Sequence, residues 1–439
     1  MSSSGTSRLL DVEAAARRGA WRGGEGRPLN ERCVKWGARW PLATSCLVCL
    51  PLMAGCGSDP GESGAGEPDD GGPRYAVASR IEDNDFTNST MFVWVVDDLS
   101  GGSVSLGEAT ELPGRGSIWG VPRTEVFYVV SAEELTVSKY GVAGGKPELE
   151  ARLGLGAAGI SFLLGERMVF DGPDRGFLFD LVSGQALELD LAAMEITRSI
   201  DVSDARIDSA DYTFIGEPGF REHGGRLVAP LYGTSAAYDR VASESKVLFV
   251  DPTDGSIEVK SAPCGGLYYT VKSPSGDIHF ASDPYVASIF MVDPERAPAP
   301  CMARMAAGQD ELDTSVVALN DVTGGPTGGL VPGSDGAAYL RVLDSGLYSP
   351  SADATHLEAF SAQGWQTWRI ELDDPGSAEP LDRPPLAGGI KVFEVDDQAY
   401  VNESTAGFGS TTLVRTTGEG APARALTMPG ATWGVLRVR

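Results

Sequence analysis

The sequence predicts an all-β chain: a seven-bladed β-propeller of four-stranded antiparallel blades, closed by pairing of its N- and C-terminal strands. Three observations carry this. The 439 residues include 56 glycines and 28 prolines, which excludes a large helical bundle or coiled coil. One strand-and-turn phrase recurs along the chain. The last segment is a strand with nothing after it to pair with. A mean hydropathy of −0.09 excludes a polytopic membrane protein. With 35 basic against 61 acidic residues and a net charge of −26, the phosphate backbone of nucleic acid is a poor partner.

In chain order, residues 1–55 read as a lipoprotein signal region, 56–72 as a tether and 73–439 as the propeller. Arg32, Lys35 and Arg39 precede an apolar run from Leu42 to Met53, too short to span a bilayer and of signal-peptide proportions. The run ends in Leu52-Met53-Ala54-Gly55-Cys56, which resembles the lipobox of bacterial lipoproteins, so Cys56 is the expected lipid acceptor. Residues 1–33 carry acids ahead of the basic segment and fit a misassigned start, with Val34 as the alternative initiator. The tether is acidic, rich in Gly, Ser and Pro, and has no apolar residue to join a core. The expected location is the cell envelope, as an outer-membrane lipoprotein facing the periplasm or the surface.

Six cysteines are present. Cys33, Cys46 and Cys49 fall in or before the signal and Cys56 takes the lipid, leaving Cys264 and Cys301. In an oxidising compartment a lone pair is most simply a disulfide. A metal pair or redox dithiol is the sharper alternative, although these two cysteines are not spaced as a CxxC.

From Arg74 onward, strands ending in an acid precede tight turns: Phe92–Asp97, Phe177–Asp180, Leu248–Asp251, Ile289–Asp293 and Trp368–Asp373. A further short strand lies ahead of these, at Val126–Val130, Arg167–Phe170, Arg226–Leu231, Asp277–Ala281, Ala337–Val342 and Gln398–Val401, recurring 41 to 61 residues apart. That is the length of one four-stranded sheet, and Tyr75–Ser79 supplies a seventh. Thr432–Val438 completes the sheet that Tyr75 begins, which removes an exposed edge. A pair of β-sandwiches is the structural alternative.

In such a blade, the connections between strands two and three and those between blades emerge on one face. The other two connections emerge on the opposite face, where the turns are short: Ser273–Gly276, Gly333–Gly336, Asp396–Asp397 and Gly224–Gly225. The first face is expected to carry Tyr232–Ser245, Leu343–His356, Asn402–Gly409, Asp190–Phe220 and Gln309–Gly329. Long loops on one face of a rigid scaffold are where function is usually carried. Aromatic residues there include Tyr232, Tyr285 and Tyr348, and basic ones Arg115, Arg221, Arg240 and Arg341.

No GxSxG, HExxH, Walker loop or helix-opening GxGxxG occurs, so the chain is not expected to be an enzyme. No cofactor and no metal site are expected either. Only His223, His279 and His356 are available, and His279, within a strand, reads as a packed imidazole rather than a base or ligand. The aspartates of 201–211 and of 82–85 lack the ligand spacing of an EF-hand loop and read as solvated acidic loops.

Tyr75-Ala76-Val77-Ala78, Val96–Ser100, Glu111–Arg115, Pro263-Cys264-Gly265, Pro298–Cys301 and Ala338–Asp344 resemble the β-propeller lipoproteins of the myxobacterial myxochelin cluster. They are distantly similar to surface lipoproteins that capture ferric catecholate siderophores. The resemblance implies a binding role in ferric-siderophore handling; a TonB-dependent receptor is a candidate partner. A trianionic, aromatic ferric tris-catecholate calls for guanidinium groups and aromatic faces, and Arg115, Arg341, Tyr232 and Tyr348 have the residue types. The acidic composition opposes this ligand unless the rim is locally basic. A protein-interaction scaffold in an envelope complex is the alternative, and an enzyme using rim carboxylates is a third.

Overall fold

The computed structural model describes residues 71–82, 89–112, 116–160, 167–180, 184–203, 212–215, 220–235, 237–351, 353–405 and 409–439. Cys56 and the whole signal region and tether up to residue 70 lie outside these residues, as does Arg115. The propeller falls within one compact unit, Gly72–Arg439.

Seven antiparallel sheets follow one another along the chain as the seven blades of a β-propeller. Blade 1 combines Ala431–Arg437 as its innermost strand with Tyr75–Glu82, Ser89–Val96 and Thr110–Leu112. The innermost strands of blades 2 to 7 begin at Gly116, Arg167, Tyr212, Leu267, Thr327 and Val392. Ring closure takes the expected form: Tyr75 pairs with Arg437 and Val77 with Val435. Backbone hydrogen bonds from Arg74 N–H to Arg439 O (3.0 Å) and from Val438 N–H to Arg74 O (2.8 Å) extend the ladder.

Burial on both faces of the sheets explains the core. In Ala76, Val77, Ala78, Met91, Val93 and Trp94 both faces of the blade 1 strands are buried, because each sheet packs against two neighbours, and such strands read as near-continuous apolar runs. The short turns require left-handed backbone, and Asp335, Asp396 and Asp397 adopt it at φ of 57°, 51° and 60°. The disulfide is present: Cys264 and Cys301, both buried, are bonded with their Cα atoms 5.9 Å apart. It ties the entry to blade 5 to that blade's third strand.

Three expectations are corrected. Ile289–Asp293 is not a strand but the end of a helix, α1 (Pro284–Val292). Asp283 caps it by accepting from Tyr285 N–H at 3.0 Å, with Pro284 in its first turn. Arg167–Phe170 is the innermost strand of blade 3, whereas the other short strands grouped with it are second strands. The long connections are also partly strand. Tyr232–Ser235 and Val241–Ser245 extend one hairpin of blade 4, and residues 309–315 belong to the opposite face, between the third and fourth strands of blade 5. Blade 4 has its inner strand in two pieces, Tyr212–Ile215 and Arg221–His223, both paired with Arg226–Ser235.

Candidate functional site

The first face is elaborated over blades 4 to 6. Between the second and third strands of blade 5 lies α1. A short helix, α2 (Leu319–Thr323), leads from blade 5 into blade 6. The same connection in blade 6 carries α3 (His356–Ser361), opened by a capping box between Thr355 and Glu358. Helix α1 buries Val286, Ala287, Ser288 and Ile289. It lies so close to blade 6 that a Cβ on Gly328 would stand 2.5 Å from Pro284 N, so only glycine fits there.

Two hydrogen bonds at the Tyr285 hydroxyl tie α1 to α3 and to the hairpin of blade 4. Tyr285 Oη donates to Tyr238 O at 2.6 Å, which leaves it to accept from His356 Nε2 at 2.8 Å. The Tyr285 ring stands edge-on to His356 and Phe360, at centroid distances of 5.2 and 5.4 Å. Burial lowers the His356 pKa, with Asp239 pulling the other way. Under α1, Asp283 is buried and accepts from Tyr232 Oη at 3.3 Å. Burial pushes the Asp283 carboxyl up to about 6, against the bonds from Tyr285 N–H and Tyr232 and the positive charge of Lys391.

Lys391 belongs to a second group, at the junction of blades 7 and 1. Its Nζ lies 3.7 Å from the centroid of the Trp433 ring, and the Arg80 guanidinium stacks on the same indole. Lys391 leads into the inner strand of blade 7 and Trp433 lies in the inner strand of blade 1. Both are half-buried, Arg80 is buried, and the buried Trp433 Nε1 has no hydrogen-bond acceptor among the described residues. Across the ring axis, Arg221 donates to Glu394 and to Thr270 O at 2.9 Å, linking the inner strands of blades 4, 5 and 7.

Of the four residues expected to contact a ligand, three are described, and all three are buried or half-buried. Arg115 lies outside the described residues. Arg341 is not on an open rim: it is 4% exposed within blade 6, donates to Thr367 Oγ1, and leaves Nε without an acceptor. Every residue of its strand, Ala337–Leu343, is buried, and burial lowers its pKa to about 10. Tyr232 is 1% exposed beneath α1, which covers it. Tyr348 is half-buried against Ala287, Leu343 and Trp365. Arg221 serves the axis instead of the rim, while Arg240 is exposed.

No family model matches the chain, and no curated protein matches it. Among solved structures, AztD from Citrobacter koseri is 10% identical over 83% of this chain and 97% of its own, with a TM-score of 0.39. The dihydro-heme d1 dehydrogenase NirN is 13% identical over 82% and 74%, with a TM-score of 0.42. The Kuenenia stuttgartiensis hydrazine synthase is 11% identical over 70% and 78%, with a TM-score of 0.44. Such distant likeness carries no ligand or reaction to this chain. It does correct the expectation that the chain is not an enzyme. That expectation rested on missing motifs, and a dehydrogenase and a synthase stand among the similar structures, so missing motifs exclude nothing.

Proposed function

We propose that the chain is a binding protein of the cell envelope, anchored by a lipid on Cys56, whose propeller takes an anionic aromatic ligand on the helix-bearing face. A ferric catecholate siderophore is the first candidate, and a TonB-dependent receptor the candidate partner. The observation that carries this reading is the pair of cations on one indole: Arg80 and Lys391 at Trp433. On a chain of net charge −26, this places positive charge and an aromatic face together beside the mouth of the ring. Those are the two features a trianionic tris-catecholate demands.

The test is fluorescence titration of the chain from Cys56 onward, which holds five tryptophans including Trp433, with ferric tris-catecholate, against iron-free catechol and ferric citrate as controls. Saturable quenching by the ferric catecholate alone, weakened in Trp433→Phe, is the expected result. Quenching that never saturates, or that is indifferent to that substitution, overturns the ligand.

A second reading, a protein-interaction scaffold, is favoured by Leu347 and Leu357. They stand 51% and 44% exposed on the connection that carries α3. Co-purification of an envelope partner, lost when both leucines become serine, would support it.

A further inference from the structure

On the opposite face, where blades 5 and 6 meet, a cavity of about 440 Å³ is lined by His279, Arg304, Asp313, Ser315 and Asp373, among others. His279 is 2% exposed, yet neither ring nitrogen has a hydrogen-bond partner among the described residues. An imidazole buried in this way loses its bonds to water and gains none in return, a cost of about 1–3 kcal/mol. A packed core histidine keeps at least one of them.

Two carboxylates complete the set. Asp277 stands two residues before His279 and shares its strand side; Asp373 reaches over from the turn that ends the third strand of blade 6. The ligating atoms of Asp277, His279 and Asp373 all lie within 4.8 Å of one another. Asp277 is held in place by the Ala307 N–H at 2.7 Å. Arg304 bonds chiefly to Asp313, at 2.9 Å, and lies 3.6 Å from the second Asp277 oxygen.

We propose that Asp277, His279 and Asp373 bind a first-row divalent cation of the zinc or cobalt type. One imidazole with two carboxylates suits such ions better than calcium or magnesium, which take oxygen alone. Bonds of about 2.0–2.2 Å place neighbouring ligands about 3.5 Å apart, so the three side chains close by about 1 Å around the ion. The cavity leaves room for water or a small anion in the remaining positions, and the Arg304 guanidinium is on hand for the anion. The site lies on the face away from Trp433 and does not depend on the ligand proposed there.

The experiment is titration of the untagged, chelator-treated chain with Co²⁺, read by visible absorption and by thermal shift, with Zn²⁺ as competitor. One equivalent of Co²⁺ with a saturable band, displaced by Zn²⁺, is expected. Asp373→Asn should weaken binding at least tenfold and His279→Phe should abolish it. Asp373 is an exposed turn residue, so its variant tests the site even where His279→Phe fails to fold. No saturable band, or the same band in Asp373→Asn, overturns the proposal.

Discussion

Arg437 Nη1 donates a 2.7 Å hydrogen bond to Asp396 Oδ1, joining the first turn of blade 7 to the strand that closes the ring. The same carboxylate accepts from Tyr75 Oη at 2.9 Å and from Arg123 Nη2 at 3.3 Å. One side chain therefore bonds both partners of the closing ladder and the first turn of blade 2. Asp396→Ala should cost about 2 kcal/mol in urea unfolding, as expected for charge-assisted bonds. Burial raises the Asp396 pKa, but the bonds from Arg437, Tyr75 and Arg123 outweigh it and hold the carboxyl below its ordinary value. Its contribution is complete above the unfolded-state value of about 4 and is lost as pH falls through the lower folded value. The gap between wild type and variant should shrink in acid; a gap that stays constant down to pH 2 would contradict this.

The disulfide closes a loop of 37 residues around α1. Chain entropy assigns it about 3–4 kcal/mol. Cys264→Ser with Cys301→Ser should lower stability by about that amount, and reducing agent should do so in wild type but not in the double variant. Equal denaturation midpoints with and without reductant would show that the bond contributes nothing.

Docking of α1 on α3 rests on the Tyr285 hydroxyl. Tyr285→Phe should cost about 1–2 kcal/mol and raise amide exchange in α1 and α3 more than in the blades. Because the folded His356 pKa is depressed, its contribution is present above the ordinary histidine value of about 6.5 and fades as pH falls through the folded value. Protection of both helices should therefore decline below pH 6, and His356→Gln should remove that pH dependence.

The ring was legible because blades 1, 3, 4 and 6 share a largely apolar strand ended by an acid and a tight turn, and a further short strand recurs at the spacing of one blade. The terminal strand Thr432–Val438 had no other edge to join. Helix α1 was not. Tyr285–Val292 is apolar all round, a run that a buried strand matches equally well; the unread signal was Asp283-Pro284, a cap followed by proline in the first turn. Arg341 and Tyr232 were read by residue type as ligand contacts. Their burial depends on which strand faces a neighbouring blade, a tertiary fact. Arg80, Lys391 and Trp433 are distant in sequence and meet only because the ring closes. His279 was visible, but its lack of a hydrogen-bond partner was not.

If the cations at Trp433 hold the ligand, neutralising one should weaken binding without unfolding the chain. Lys391 is half-buried, and a charge-assisted bond from such an ammonium to an anionic ligand is worth about 1–2 kcal/mol. Lys391→Met should accordingly reduce affinity about five- to thirtyfold in the quenching titration, while leaving the thermal midpoint within a few degrees. An unchanged affinity would move the ligand elsewhere.

Asp283 provides the reverse pH test. Its folded pKa, about 6, lies above the ordinary carboxylate value, so the stability linked to its proton is full below about pH 4 and lost as pH rises through 6. The difference corresponds to a penalty of up to about 3 kcal/mol at neutral pH. Asp283→Asn retains a side-chain oxygen for the Tyr285 N–H, and asparagine caps helices as well as aspartate. The variant should be more stable than wild type by about 1–3 kcal/mol at pH 8 and equal to it at pH 4. A carboxylate kept at such a cost under α1, within the field of Lys391, is where a functional charge would be retained. Equal stability at pH 8 would show that the protein tolerates the buried charge without penalty, and Asp283 would then be a helix cap and nothing more.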